Sequence, residues 1–413
     1  MVRQGYKQTE VGVIPEDWQI SAMEALTSLM TNGFVGTIKS EYVPSGTGIL
    51  YLQGFNIKEN GFDLTGITYV SDAFHKQHLK SELKENDLLT VQTGDIGVTS
   101  YLPKQFEGAN CQALIISRFY EKYDSRFWSY YFNSIGRKAL KLIETGTTMK
   151  HINVGDMKGV LVPVPTNKTE QTRIADALSD VDNMISSVEK LIVKKKAIKQ
   201  GAMQELLTEK KRLPGFTGEW IKVQLKDIFD FYKGNGLSKE KVSDNGKNAC
   251  ILYGELFTRY TEVIGNITNK TNSDEGLRSC KFDVLMPGST TTNGLDLATA
   301  SVIMDNDVLL GGDIVVLRPK KEMDTRIFGY LLRTMPKEIL QHTQGITIVH
   351  LNTKTFREME VLIPKTVEEQ TAIADILADM DNEIEALEQK LTKTRQIKQG
   401  MMQQLLTGKI RLV

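Results

Sequence analysis

Two histidines three residues apart, His75 and His78, are the first residues that could do chemistry, because imidazoles at such a spacing can share a metal ion. No Cys, Asp or Glu completes a recognisable ligand set around them, so a solvated loop is expected and no metal is assigned. Glu82-Leu83-Lys84 has the acidic-x-Lys form of a nuclease centre, yet no upstream Asp stands at a matching spacing. Ser45-Gly46-Thr47-Gly48 is too short for a phosphate-cradling loop and lacks its lysine, so ATP use by this chain is not supported. An Asn- or Asp-Pro-Pro-aromatic run, which amino-methyltransferases set beside a flipped base, does not occur. No catalytic residue is assigned.

The elements that would position such groups come next. With 413 residues, 40% of them hydrophobic and 25% charged, the chain should fold into two to four structural units. Its first residues are polar, and nowhere do about 18 apolar residues run together. Neither a secretory signal nor a membrane span is expected, and a cytoplasmic location follows. Cys111, Cys250 and Cys280 are odd in number and widely spaced, so they read as reduced thiols. Lys plus Arg equals Asp plus Glu at 51 each. Bulk charge therefore does not argue for nucleic-acid binding, which needs local positive charge or a field supplied by partners.

Self-comparison finds one dominant repeat. EQTRIADALSDVDNMI from Glu170 is answered by EQTAIADILADMDNEI from Glu369, and Ile198-Lys199-Gln200-Gly201 by Ile397-Lys398-Gln399-Gly400. About 25 of roughly 44 aligned positions are identical, which duplication explains. Ile174, Leu178, Val181, Ile185, Val188 and Ile192 form a seam of alternating four- and three-residue steps, and Ile373, Leu377, Met380, Ile384, Leu387 and Leu391 repeat it. Such a narrow stripe needs a partner helix, and the other copy is the obvious one. Asn167 with Glu170, and Thr366 with Glu369, have capping-box spacing; Gly408 closes the second helix and Pro214-Gly215 follows the first. A helix from Glu170 to Thr208 would be about 58 Å long, the length of a spacer.

The segments before each helix also match, more faintly: Trp18 with Trp220, and Gly146, Thr148, His151 and Asn153 with Gly345, Thr347, His350 and Asn352. The expected organisation is a globule over 1–165, a long helix over 166–213, a second globule over 214–364 and a second long helix over 365–413. Within the globules, Ile49 to Phe55, Leu88 to Gln92, Ala113 to Phe119 and Asp313 to Leu317 read as strands, and Phe127 to Glu144 and Arg326 to Gln341 as amphipathic helices. The fold class is α+β: two globules separated by two long helices forming an antiparallel coiled coil, with pseudo-twofold internal duplication. A duplex has the same kind of dyad, so such an object suits two half-sites, and unlike globules imply unlike half-sites.

The N-terminal GYKQTEVGVIPEDW, the EQ-x-x-IA-x-x-L-x-x-x-DN helix starts, the KQG-x-MQ-x-LLT helix ends and the RLPGFTGEW junction resemble the specificity subunits of type I restriction–modification systems, across essentially the whole chain. YLQGFNIKENGFDLTGITYV from Tyr51 and LKENDLLTVQTGDIGVTSYL from Leu83 are similar to the core of that family's target recognition domains; ILYGELFTRYTEVI and FDVLMPGSTTTNG in the second globule follow the pattern loosely. The resemblance implies a non-catalytic subunit that reads an asymmetric bipartite duplex DNA target. Its partners would be two adenine methyltransferase subunits using S-adenosylmethionine and restriction/translocase subunits using ATP with Mg2+, with no cofactor on this chain and no membrane. The alternatives are a self-contained endonuclease or methyltransferase, which the missing cofactor motifs oppose, and a protein-only scaffold, which leaves the polar loops unexplained.

Base reading needs paired donors and acceptors that reach the major groove. Gln53, Asn56, Lys58, Gln92, Thr93 and Lys104 in the first globule, and Lys233, Asn235, Arg259, Thr291 and Asn293 in the second, are the candidates. Thr148, His151, Thr347 and His350, with Asn153 and Asn352, are common to both globules and fit phosphate contacts or a shared turn. Lys194-Lys195-Lys196, with Lys190, Lys199, Lys210, Lys211 and Arg212, reads as a solvated helix face rather than a phosphate track.

Overall fold

The computed structural model describes residues 3–147 and 150–412, so Thr148 lies outside the described residues. Contacts divide the chain into two compact units, Met1–Glu189 with Lys390–Val413, and Lys190–Gln389. Each unit therefore holds one globule, one half of the first long helix and one half of the second.

In the first unit, β1 (Thr27–Asn32), β2 (Leu88–Val91), β3 (Thr99–Tyr101) and β4 (Leu114–Phe119) form an antiparallel sheet in the order β3-β2-β4-β1. Both faces of its two central strands are covered, so apolar residues occur at successive positions there, as in Leu88-Leu89 and Leu114-Ile115-Ile116. Leu88 and Ile115 turn to one core with Trp18, Phe127 and Trp128, while Leu89, Val91, Leu114 and Ile116 turn to another with Leu52, Ile57 and Leu102. A second sheet combines Tyr42–Val43, Ile49–Leu52, Thr68–Val70 and Asn110–Cys111. The helix expected over Phe127 to Glu144 is two, α1 (Ser125–Phe132) and a short one at Arg137–Leu142. The turn between them requires glycine at 136, where a Cβ would lie 2.5 Å from the Tyr131 ring. A hairpin of β5 (Glu144–Thr145) and β6 (His151–Ile152) follows.

The second unit repeats this plan with additions. β7 (Phe229–Lys233), β8 (Val263–Ile264), β9 (Val284–Pro287), β11 (Ser301–Ile303) and β12 (Ile314–Pro319) form the main sheet in the order β7-β12-β9-β11-β8, of which only the pairing of β8 with β11 is parallel. A short strand, β10 (Ser289–Thr290), lies between β9 and β11 in the chain and belongs to a separate three-stranded sheet, described below. Val284, Met286, Val315 and Leu317 face one core, and Leu285, Ile314 and Val316 another. The helix expected over Arg326 to Gln341 is again two, α3 (Arg326–Arg333) and a short one at Pro336–Leu340, where proline occupies the first turn and ends the preceding helix.

The long helices, with the labels α2 (Lys168–Leu206) and α4 (Val367–Leu405), have 39 residues each. In the first unit Glu189 meets Arg395 at 2.6 Å and Asp182 meets Lys398 at 2.5 Å; in the second Lys195 meets Glu383 at 2.7 Å and Lys199 meets Asp381 at 2.5 Å. Partner numbers fall as the others rise, so the paired halves run antiparallel within each unit. Ile174, Leu178, Val188, Ile192, Ile373, Leu377 and Ile384 are buried, and Val181, Ile185, Met380, Leu387 and Leu391 are half-buried. The first two seam positions of each helix belong to the globule cores, Ile174 and Leu178 to one and Ile373 and Leu377 to the other.

The reciprocal capping boxes are not made. Asn167 Oδ1 accepts from the Thr169 amide, and Thr366 Oγ1 from that of Glu369, but the Glu170 and Glu369 carboxylates turn away to tryptophan and arginine partners. At the far ends Gly408 has φ 67°, and Glu209, its counterpart in the repeat, has φ 59° without glycine's freedom. Glu209→Gly is expected to raise stability by about 0.5–1 kcal/mol; an unchanged or lower urea midpoint would show that the weak Glu209–Arg212 contact outweighs the strain.

Candidate nucleic-acid interface

In each globule the loop after one central strand, β2 in the first and β9 in the second, meets the hairpin that precedes the long helix. The Ile152 amide donates to the Gln92 carbonyl at 3.2 Å, and the Leu351 amide to the Gly288 carbonyl at 2.9 Å. In the first unit the Gln92 side chain also donates to the Ile152 carbonyl at 3.0 Å, which leaves neighbouring Thr93 exposed beside the hairpin that carries His151. In the second unit, β13 (Thr343–Gln344) and β14 (Val349–Leu351) form the hairpin, and β10 joins it in the order β10-β14-β13. Ser289 is opposite His350, with Thr291 and Asn293 just beyond. Lys233 reaches the same place: its ammonium lies 2.9 Å from Asp313 Oδ1, and Asp313 Oδ2 accepts from Ser289 Oγ at 3.2 Å. The Lys233 hydrogen bond, reinforced by Ser289 and by the charge of His350, holds the Asp313 carboxyl below the usual carboxylate range.

Lys58, Thr93, Lys104, Lys233, Asn235, Arg259, Thr291, Asn293, Thr347 and His350 are exposed, and Gln53, Gln92 and His151 are half-buried. Asn56 is withdrawn from a reading role. It is fully buried, its Nδ2 donates to the Asp63 carbonyl, and its Oδ1 accepts from the Gln53 amide, so both ends of its amide hold a turn. Gln53 Nε2 is similarly engaged with Tyr42 and Thr68 hydroxyls. Asn293 accepts from the Leu295 amide and starts a 3-10 turn, and Arg259 pairs with Glu255 over the Tyr260 ring. Asn153 binds Thr145 and Asp156, and Asn352 caps the next helix through the Lys354 amide.

The other chemical candidates are occupied. His75 contacts Asn110 and Glu82, His78 packs against Phe34 and Phe74, and among the described residues no three His, Cys, Asp or Glu gather as a metal site. The lysine run on α2 is largely neutralised: Lys195, Lys196 and Lys199 pair with Glu383, Glu388 and Asp381. Among the described residues no helix is long and apolar enough to cross a membrane.

Comparison with known proteins gives this geometry a family. The model of the type I restriction modification DNA specificity domain matches twice, over residues 31–198 and 217–397. The chain belongs to that family. A specificity subunit named for the type I restriction enzyme MjaX of Methanocaldococcus jannaschii is 23% identical over 428 residues, covering 99% of this chain and 97% of that one. The MjaVIII specificity subunit of the same organism is 22% identical, covering 97% and 94%. The crystal structure of a type I restriction-modification S subunit from M. genitalium has the same fold, with a TM-score of 0.62 at 18% identity over 94% of this chain and 96% of that one. This specificity subunit is thus a recognition component with two recognition domains, not the enzyme of its system.

Sequence reasoning about the specificity subunit missed its charged fasteners, which occur once per unit. Arg118 grips Asp87 through two nitrogens, as Arg318 grips Asp283, and both aspartates are fully buried. Tyr130 donates to Asp182 and Tyr330 to Asp381, at 2.9 and 2.8 Å. Burial and the adjacent carboxylate push both phenols well above their ordinary range. Arg411 and Trp18 hold Glu170 as Arg212 and Trp220 hold Glu369. A signal for the last set was available, since Arg212 and Arg411 are one identical position of the repeat.

Proposed function

We propose that this specificity subunit reads an asymmetric, bipartite duplex DNA target, one half with each recognition domain, and so positions partner adenine methyltransferase and restriction subunits. The observation that carries the reading is the recurrence of one polar loop-and-hairpin meeting place in both domains, built on the same backbone contacts but lined by different side chains. A shared scaffold suits contacts to phosphate, which is alike everywhere, and the differing side chains suit base edges, which are not. Lys58, Thr93, Lys104, Lys233, Asn235, Arg259 and Thr291 remain the proposed base-reading set, with Gln53, Gln92 and Asn293 contributing through what their turns leave free. His151, Thr347 and His350 are proposed phosphate contacts. The proposed domain limits stay at 165, 213 and 364. Methyl transfer from S-adenosylmethionine and ATP-driven translocation with Mg2+ belong to the partners, in the cytoplasm.

The test is to co-express the chain with its methyltransferase subunits and map methylated adenines across the host genome. Methylation confined to a two-part motif with an unread gap is expected; a continuous motif, or none, would count against two readers. The chain purified alone should transfer no methyl group, and turnover would favour the self-contained enzyme.

A further inference from the structure

Strand registers allow the two meeting places to be superposed residue by residue. Leu114 and Ile314 are equivalent, since their carbonyls accept from the amides of Gly33 and Gly234, both at 2.8 Å. It follows that Ala113 corresponds to Asp313 and Asn32 to Lys233, while the Gln92 and Gly288 contacts make Thr93 the counterpart of Ser289, and His151 that of His350. The hydroxyl and the imidazole are common to both domains. What differs is Asn32 with Ala113 in one, and Lys233 with Asp313 in the other.

The backbone beneath the differing residue is the same. Ala113 and Asp313 both adopt the left-handed region, with φ of 50° and 60°, so the turn is scaffold and the carboxylate is an addition to it. That carboxylate is 40% exposed, and Lys233 and Ser289 occupy one contact on each oxygen, leaving further acceptor capacity towards solvent. A negative group on a surface that approaches DNA is repelled by phosphate and is favourable only where it meets a donor. In the grooves the donors are the exocyclic amino groups, and a carboxylate pairs with that of cytosine, or of adenine.

We infer that Asp313 is a specificity-determining residue of the second domain, accepting a hydrogen bond from the exocyclic amino group of one base in its half-site while Lys233 holds it in place. This rests on the bipartite-reader proposal above. Nothing equivalent exists at Ala113, so the first domain reads no amino group from that position.

The experiment uses the complex with its methyltransferase subunits acting in cells on a plasmid library randomised across the second half-site. Two variants protect against misfolding: Asp313→Asn keeps the shape and tolerates the left-handed turn, and Asp313→Gly removes the side chain and its strain together. Both are expected to lower the preference for one amino-bearing base, at one position only, by about 5- to 150-fold, with the first half-site unchanged. A second half-site unchanged letter for letter, even with less total methylation, overturns the inference and leaves Asp313 as a structural pin. A wild-type complex that methylates no divided sequence overturns the underlying reading and this inference with it.

Discussion

Replacing Asp283 by alanine is expected to destabilise the unit that contains it by about 3–5 kcal/mol. The carboxylate is fully buried; Oδ2 accepts from Arg318 Nη2 at 2.7 Å and from the Cys280 amide at 2.8 Å, and Oδ1 from Arg318 Nε at 2.9 Å. Removing it leaves a guanidinium that is only a quarter exposed with the Arg278 carbonyl, at 2.9 Å, as its remaining hydrogen-bond acceptor, and deprives the Cys280 amide of its carboxylate partner. Asp283→Asn keeps the volume and one acceptor, so its loss should be smaller. The measurement is the urea midpoint with an unchanged slope, which separates lost stability from a changed denatured state. A loss under about 1 kcal/mol would mean that water already serves this pair.

The second large effect concerns the clasp at each helix start. Arg411→Ala should cost the first unit about 3 kcal/mol, because Glu170 is 1% exposed and would keep only the Trp18 indole at 3.2 Å. Arg411 also binds Asp17 through two nitrogens at 2.8 Å and lies over the Trp18 ring. Arg212→Ala removes the matching grip on Glu369, at 2.8 and 2.9 Å, from the second unit, and its loss should be somewhat smaller, since it binds the exposed Glu209 rather than a counterpart of Asp17. Hydrogen exchange resolved along the chain tells them apart. Each substitution should lower protection in its own unit and leave the other unchanged; equal loss in both would show that the clasp is not local.

The two long helices were readable because a helix writes its partner face into the chain every 3.5 residues, and the seams at Val188, Ile192 and Ile384 are buried as that spacing requires. The same reading went astray at the helix starts. Spacing proposed that Glu170 and Glu369 cap their own helices, but an arginine about 240 residues away for one, and about 155 for the other, offers each carboxylate a stronger partner than a single amide does. Asn56 was misjudged for a related reason: a polar residue among glycines looks exposed until the turn folds over its amide. Asp313, flanked by two glycines and the strand that follows, gave no hint that Lys233 and Ser289 would close around it.

Residue order by itself determined the duplication, the seams, the α+β strand pattern and the family, since each is a local or self-referring regularity that survives without knowing the fold. Tertiary structure alone decided which carboxylate meets which guanidinium, which half of each helix belongs to which unit, and which loop residues face solvent. Those are contacts between distant segments, and their energies depend on burial and geometry that exist only after the chain has closed.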